Sequence, residues 1–443
     1  MSPTVALIVF IAAIVVTVIL GNKFKCNIGI IGICFAFIIG TIFMKLSISQ
    51  VIGFFPASLL FQMMIVTFFY GFAAENGTIK VVSSHLIYAM RKNTKLLPFV
   101  LFLVTFLVSA LGAGAGATPV IMSPIAFTLA AQMGFNPVLA LIATYLGSMG
   151  GGLQAWSSSG ILFKGVAEQS IGEAMASAAG WAYGVTLFII PTIFFLAVFF
   201  IVSRKDKSAN GSAADVIAEP QKMNREQKIT FTMIIVMMVL VIVPVFANMF
   251  FPNPATKWFA SKFDIKVLCA IGIVLCCAFK VGDAQKVVKN YIPWNMIIMV
   301  CGMSVLITIG VKAGITDVIG NFFSSSLPKF LIIPMVIIIS GLLSFVTTGP
   351  AVIFPLFIPM FTAISANTGL SVVALTVACY AGTGATGLSP FSQGGAMAVV
   401  GCTDENLRNS LWKKQFILAI CFLLTYVVVA LLGYFNLLGA IFG

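Results

Sequence analysis

The chain reads as an all-α polytopic membrane protein. It divides into two inverted-topology repeats of five spans, each with a re-entrant helical hairpin and a broken transmembrane helix. Three observations predict this. Of 443 residues, 60% are hydrophobic and 8% charged, whereas a soluble domain carries roughly 25% charged residues. Apolar runs long enough to span a bilayer, about 18 residues or more, recur along the chain. Glycine-rich interruptions inside those runs come in matched pairs: GAGAGATP at 112–119 with TTGP at 347–350, and GSMGGGLQAWSS at 147–158 with GTGATGLSPFSQ at 382–393. A constant offset of 235 residues sets Gly114 on Gly349, Pro124 on Pro359, Gly134 on Gly369 and Tyr145 on Tyr380. The same register pairs Gly147 with Gly382, Gly152 with Gly387, Ser157 with Ser392 and Gly160 with Gly395.

The opening run, Val5 to Leu20, lacks a basic leading region and a small-residue cleavage site, so it is expected to be the first span rather than a signal peptide. Spans are expected at 4–21, 26–45, 56–76, 138–170 with a break, and 175–202. The second half repeats the plan at 228–251, 266–281, 293–312, 371–399 with a break, and 414–440. Hairpins at 96–133 and 328–367 turn at the glycine-rich tips, and each follows an amphipathic stretch, Thr78 to Lys95 or Ile315 to Pro328. The first repeat thus occupies 1–203 and the second 229–443, joined by a polar linker at 204–228 with no chemistry of its own.

Charge sets the orientation. The net charge is +13, but the basic residues crowd short loops beside spans, the footprint of membrane insertion rather than nucleic-acid binding. Threading the spans puts 18 Lys and Arg on the side of the linker and seven on the other. The linker side is therefore expected in the cytoplasm, with both termini outside and the chain in the cell's inner (plasma) membrane. Five spans per half is an odd number, so the halves are inverted. The nine Cys show no metal-ligand spacing and read as small buried side chains. His85, the single histidine, stands between basic interfacial residues. With no His at depth and no acidic residue near the breaks, an intramembrane enzyme is not expected.

Backbone groups cannot be left bare in hydrocarbon, so breaks at membrane depth must face protein, water or a solute. Paired breaks in two halves point to a transporter's binding site. A helix starting after a tip presents free amides and a favourable dipole to an anion. Unwound carbonyls and hydroxyls suit a dehydrated Na⁺. Candidate anion-binding residues are Gly114, Ala115, Gly116, Thr118, Gln154, Thr348, Gly349, Pro350, Thr386, Ser389 and Gln393. Candidate cation-binding residues are Gly112, Gly114, Ser148, Gly150, Gly151, Thr347, Gly349, Thr383 and Gly384. No Lys or Arg lies between Leu96 and Phe163 or between Phe330 and Glu405, so an anion would meet neutral donors. Hairpins and central breaks also lack Asp and Glu, which favours Na⁺ over proton coupling. Glu75 and Asp317 are the nearest proton-carrier candidates, and both belong at the interface.

Three stretches resemble the MatC-type dicarboxylate carriers: FFPASLL at 54–60, AAENGTI at 73–79 and LGAGAGATPVIMSP at 111–124. The layout is similar to the ion transporter superfamily, which includes the divalent anion/sodium symporters. Further likenesses are the span Trp294 to Gly314 and the Ser148, Gly150, Gly151 pattern. Those symporters carry Ser-Asn-Thr-type signatures at both tips, where this chain has Gly114, Ala115 and Gly116, and Gly349, Pro350 and Ala351. The resemblance implies a small-carboxylate carrier of the malonate, malate or succinate class with cation symport, an elevator mechanism and a homodimer. No cofactor beyond the coupling ion is implied. A proton-coupled carrier of a monocarboxylate or hydroxy acid, and a passive anion channel, are the alternatives.

Overall fold

The computed structural model describes residues 3–89, 96–203, 219–345, 349–402 and 404–443. Every regular element among them is helical. The chain begins with α1 (Pro3–Phe24), α2 (Ile28–Phe37) prolonged by a π-helical segment, α3 (Ile48–Gly53), α4 (Ala57–Glu75) and α5 (Thr78–Ala89). Then come α6 (Leu97–Val108), α7 (Gly114–Met133), α8 (Pro137–Gly152) and the long α9 (Ser158–Ser203). The second half holds α10 (Arg225–Phe250), α11 (Pro254–Lys262), α12 (Ile265–Ala278), α13 (Ala284–Asn290), α14 (Trp294–Lys312) and α15 (Ile315–Ser326). It closes with α16 (Lys329–Ser344), α17 (Phe354–Thr368), α18 (Val372–Thr386), α19 (Gln393–Ala398), α20 (Glu405–Leu431) and α21 (Tyr434–Phe442).

Seven described helices are long and apolar enough to cross a membrane, accompanied by six shorter apolar ones. Burial divides them sharply. In the segment Leu97–Met133, 72% of the apolar window is buried, and in Gly349–Thr368 67%; in Arg225–Asn248 the share is 22%. Helix α10 turns Val236, Val239 and Val243 outward, a pattern at ease only in an apolar solvent. This is a multi-pass membrane protein whose interrupted segments are sheltered by its continuous ones. At the centre lie α8, buried from Val138 to Gly152, and α18, buried over nearly its whole length. Helices α6 and α7 pack on α8, α16 and α17 pack on α18, and α9 touches both centres.

Local chemistry explains the turns into the two central helices. Helix α7 ends on Gly134 at φ 69° and α17 on Gly369 at φ 67°, left-handed positions that only glycine adopts without penalty. Asn136 then caps α8, its side chain accepting from the Val138 N–H, with Pro137 in the first turn. Ser371 caps α18 in the same way through the Ala374 N–H. Contacts recur at the 235-residue spacing. The Ser109 hydroxyl donates to the Ser148 carbonyl at 2.7 Å, and the Ser344 hydroxyl donates to the Thr383 carbonyl at 3.0 Å. A Cβ at Gly147 would lie 2.7 Å from the Phe102 carbonyl oxygen, and one at Gly382 2.3 Å from that of Ile337. These glycines let α6 and α16 touch the central helices backbone to backbone.

Gly172 (φ 79°, ψ 163°) is non-helical and divides α9 inside the connection expected between the spans 138–170 and 175–202. The structure departs from the expected spans in four places. The expected span 414–440 splits at Gly433 (φ 84°) because α21 turns to bury Phe435 and Leu438. Helix α10 starts at Arg225, inside the stretch assigned to the linker, where Asn224 and Gln227 form a capping box. Residues 204–218 lie outside the described residues. Short helices α3 and α11 were not expected, and each is started by a capping box.

Candidate functional site

Helix α6 runs into a π-helical turn, Ser109–Ala113, and the chain reverses through Gly112 (φ 122°) and Gly114 (φ 70°). Such turns recur at functional sites. A Cβ at Gly112 would sit 2.0 Å from the Tyr70 ring, so α4 closes that side of the tip. A Cβ at Gly114 would sit 2.5 Å from the Ser158 hydroxyl, so the start of α9 closes another. The Ala115 N–H donates to the Ser159 hydroxyl oxygen at 3.2 Å. Gly116 is exposed, with nothing within 4 Å of where its Cβ would stand. Two helix N-termini, those of α7 and α9, thus meet beside the exposed Gly116. Both dipoles are positive there, and no ionised side chain takes part in the bonds described.

The first break lies beside this tip and is shorter than expected: Ser148, Gly150 and Gly151 are still helical within α8, and only residues 153–157 separate α8 from α9. Gly151 faces the α6 backbone so closely that a Cβ would fall 1.9 Å from the Phe106 carbonyl oxygen, and Gly150 rests on the Phe106 ring. The Gln154 amide donates to the carbonyls of Gly150 (2.8 Å) and Gly184 (3.3 Å), tying the unwound segment to α9. Ser157 donates to the carbonyls of Gly152 and Gln154 and accepts from the Gly160 N–H. Thr118 donates back to the Gly114 carbonyl at 2.7 Å. Gly112, Gly114, Ala115, Thr118, Ser148, Gly150, Gly151 and Gln154 are therefore brought into one cluster.

The second cluster is built alike, although Thr347 and Thr348 lie outside the described residues. Gly349 and Pro350 are buried in a π-helical segment, Gly349–Ile353, and a Cβ on Gly349 would meet the Thr383 methyl at 2.6 Å. The Thr383 hydroxyl bonds within its own helix to the Cys379 carbonyl. Thr386 points at α16, donating to the Gly341 carbonyl at 2.8 Å. Ser389 is buried and accepts from the Phe391 N–H at 3.2 Å. Ser392 repeats the Ser157 pattern, accepting from the Gly395 N–H at 3.1 Å. Gln393 is exposed at the first residue of α19, apart from these bonds.

Tyrosines hold the two clusters back to back. The Tyr145 hydroxyl donates to the Gly384 carbonyl at 2.6 Å, and its repeat mate Tyr380 donates to the Phe163 carbonyl at 2.8 Å. Tyr183 donates to the Tyr380 carbonyl at 3.2 Å. Gly384 makes this possible, since a Cβ there would strike the Met149 methyl at 2.2 Å. Sequence reasoning missed Ser109, Ser344, Tyr145, Ser158 and Ser159 as parts of the site. The register that pairs the two halves sets Ser158 on Gln393 and Ser159 on Gly394, which hid two hydroxyls behind unlike partners.

No group of three or more His, Cys, Asp or Glu among the described residues could hold a metal. What remains for a cation is carbonyl and hydroxyl oxygen. The Ser148 and Gly150 carbonyls accept from the Ser109 hydroxyl and the Gln154 amide, and the Thr383 carbonyl accepts from both the Ser344 hydroxyl and the Gly387 N–H. A cavity lined by Phe10, Ile14, Ile307 and Met360 is apolar and stands apart from the breaks.

Comparison with known proteins bears on this arrangement. Residues 2–152 match the family model of the dicarboxylate carrier protein MatC N-terminus. The match ends at Gly152, the last residue of α8. The fold is similar to the YdaH transporter of Alcanivorax borkumensis, with a TM-score of 0.56 and 17% identity, over 89% of this chain and 86% of that one. It is also similar to Neisseria gonorrhoeae MtrF, described as illuminating a class of antimetabolite efflux pumps, with a TM-score of 0.60 and 15% identity, over 87% and 82% of the two chains. At such identities the likeness is one of fold alone. No curated protein matches the chain.

Proposed function

We propose that this chain, with a MatC-type region at its N-terminal end, is a secondary active transporter of a small carboxylate, coupled to Na⁺. The substrate class is a dicarboxylate such as malonate, malate or succinate. The observation that carries the reading is the meeting of the α7 and α9 N-termini at Gly114–Gly116, with Ser158 and Ser159 beside them. The Gly114 and Ala115 N–H groups are taken by the Ser109 carbonyl and the Ser159 hydroxyl, so the two helix dipoles and the hydroxyls are what attract a carboxylate without a buried Lys or Arg.

The division of burial supports the following mechanism. The hairpins α6–α7 and α16–α17 are re-entrant and inverted relative to each other, entering from the cytoplasm and from outside. They move with α8, α18 and α19 as one bundle, held together by the serine and tyrosine bonds above. The outward-facing helices form the scaffold and the contact of a homodimer in the inner membrane, with both termini outside. Na⁺ bound by carbonyls near Ser148, Gly150 and Thr383 offsets the substrate's charge during the crossing. The bundle carries both solutes past the scaffold as an elevator.

Melting of the purified protein tests the substrate class. A ligand specific for the folded state stabilises it by about 2.7 kcal/mol at a hundred times its dissociation constant. A di- or monocarboxylate should raise the melting temperature in NaCl and much less in choline chloride. No shift with any carboxylate in either salt would refute the reading. A second reading, proton coupling, is favoured by one observation. Glu168 on α9 has a buried Oε2 with no hydrogen-bond partner, a carboxylate in the second half of the broken helix. Equal stabilisation in both salts, with uptake driven by a pH gradient, would select it.

A further inference from the structure

Four buried side-chain polar atoms among the described residues lack a hydrogen-bond partner: Thr17 Oγ1, Trp156 Nε1, Glu168 Oε2 and Tyr426 OH. Of these, Trp156 alone lies in a break, in the five residues between α8 and α9. The residue is 9% exposed. Its ring packs on Trp181 at 5.8 Å between centroids. Its carbonyl accepts from the Tyr70 hydroxyl at 3.2 Å, and the Tyr70 ring closes the Gly112 side of the first tip. Trp156 is thus fastened to the first tip through Tyr70 while its indole N–H is left unmatched.

Repeat symmetry sharpens the point. The residue 235 positions on is Phe391, which is 60% exposed and packs edge-on against Trp412 at 5.2 Å. The flanking serines Ser157 and Ser392 make the same bonds in both halves. At this one position the first half buries a donor where the second half shows a plain ring. A desolvated donor without a partner costs about 1–3 kcal/mol, and a phenylalanine would fill the place without that cost. Buried groups of this kind call for an absent partner. An indole N–H only donates, so the partner must be an acceptor. No Lys or Arg lies between Leu96 and Phe163 to claim an anion first.

We propose that the Trp156 indole N–H is a substrate-binding donor, bonding a carboxylate oxygen of the transported anion and setting affinity in the first cluster. This rests on the carboxylate reading above. A hydrogen bond to a charged acceptor contributes about 1.5–3 kcal/mol, so its loss should weaken binding roughly 10- to 100-fold.

The test compares wild type, W156F and W181F by isothermal titration with succinate, malate and malonate, alongside the melting temperature without ligand. W156F should bind at least tenfold more weakly, with ligand-free melting unchanged or raised, because an unmatched donor has been removed. W181F, which keeps the Trp156 N–H, should bind like wild type. Should W156F fail to fold, 3-benzothienylalanine at position 156 keeps the ring shape and replaces only the N–H. Unchanged affinity in W156F or in the benzothienyl protein overturns the proposal. A lowered ligand-free melting temperature with unchanged affinity also overturns it and points to a bound water. Absence of binding by wild type contradicts the carboxylate reading itself.

Discussion

Gly116, exposed beside the first tip, and Gly151, inside the first cluster, are both small, yet the structure gives their substitutions opposite meanings. A Cβ at Gly151 would stand 1.9 Å from the Phe106 carbonyl oxygen and 2.8 Å from the Ala110 nitrogen, backbone atoms that cannot swing aside. G151A should therefore force α6 off α8, lowering the melting temperature by several degrees or preventing folding. A Cβ at Gly116 meets nothing within 4 Å. G116A should melt within about 0.5 kcal/mol of wild type while losing carboxylate affinity, because the methyl enters the unfilled space beside the α7 and α9 N-termini. Normal affinity in G116A, measured by titration, would move the anion away from the tip. G114V is a blunter test, since Gly114 has φ 70° and lies against Ser158.

At the scale of elements, the matched hydroxyls tie each π-turned helix end to its broken partner. S109A and S344A each remove a donor from a buried carbonyl, that of Ser148 or Thr383. Each should cost about 1 kcal/mol, and their near-equality in thermal unfolding would reflect a shared local design. Gly172 makes a different prediction. It has φ 79° and ψ 163° with open space at its Cβ, so G172A carries backbone strain without any clash. The strain should lower stability by about 1–3 kcal/mol, and a melting temperature equal to wild type would contradict the bend in α9. The interruptions and their pairing were legible in the sequence because glycine clusters have few other uses inside apolar runs. Gly172 falls inside the connection expected between 170 and 175, whereas the split at Gly433 was not legible, since a lone glycine in an apolar stretch reads equally as a helix contact.

For the whole molecule, composition announced the solvent, and the burial contrast between α10 and the α6–α7 pair agrees with it. Hydropathy could not tell which apolar helices face lipid and which face protein, because both are equally apolar. Nor could it show that Thr386 is engaged by α16 or that Gln393 stands exposed, since a residue's type does not give its direction on a helix. Ser158 and Ser159 became visible only when α9 was seen to start against Gly114. The tyrosine bonds of Tyr145 and Tyr380 fasten the two breaks as one unit. Y145F should loosen it, lowering the melting temperature and slowing transport more than it weakens binding. The direct test of the account is uptake of radiolabelled succinate or malate by proteoliposomes holding the purified protein under an inward Na⁺ gradient. The account predicts accumulation above the external concentration, collapse when Na⁺ is dissipated, and marked loss in G116A. Equilibration that never rises above the external concentration, with or without Na⁺, would contradict it and identify a passive pore.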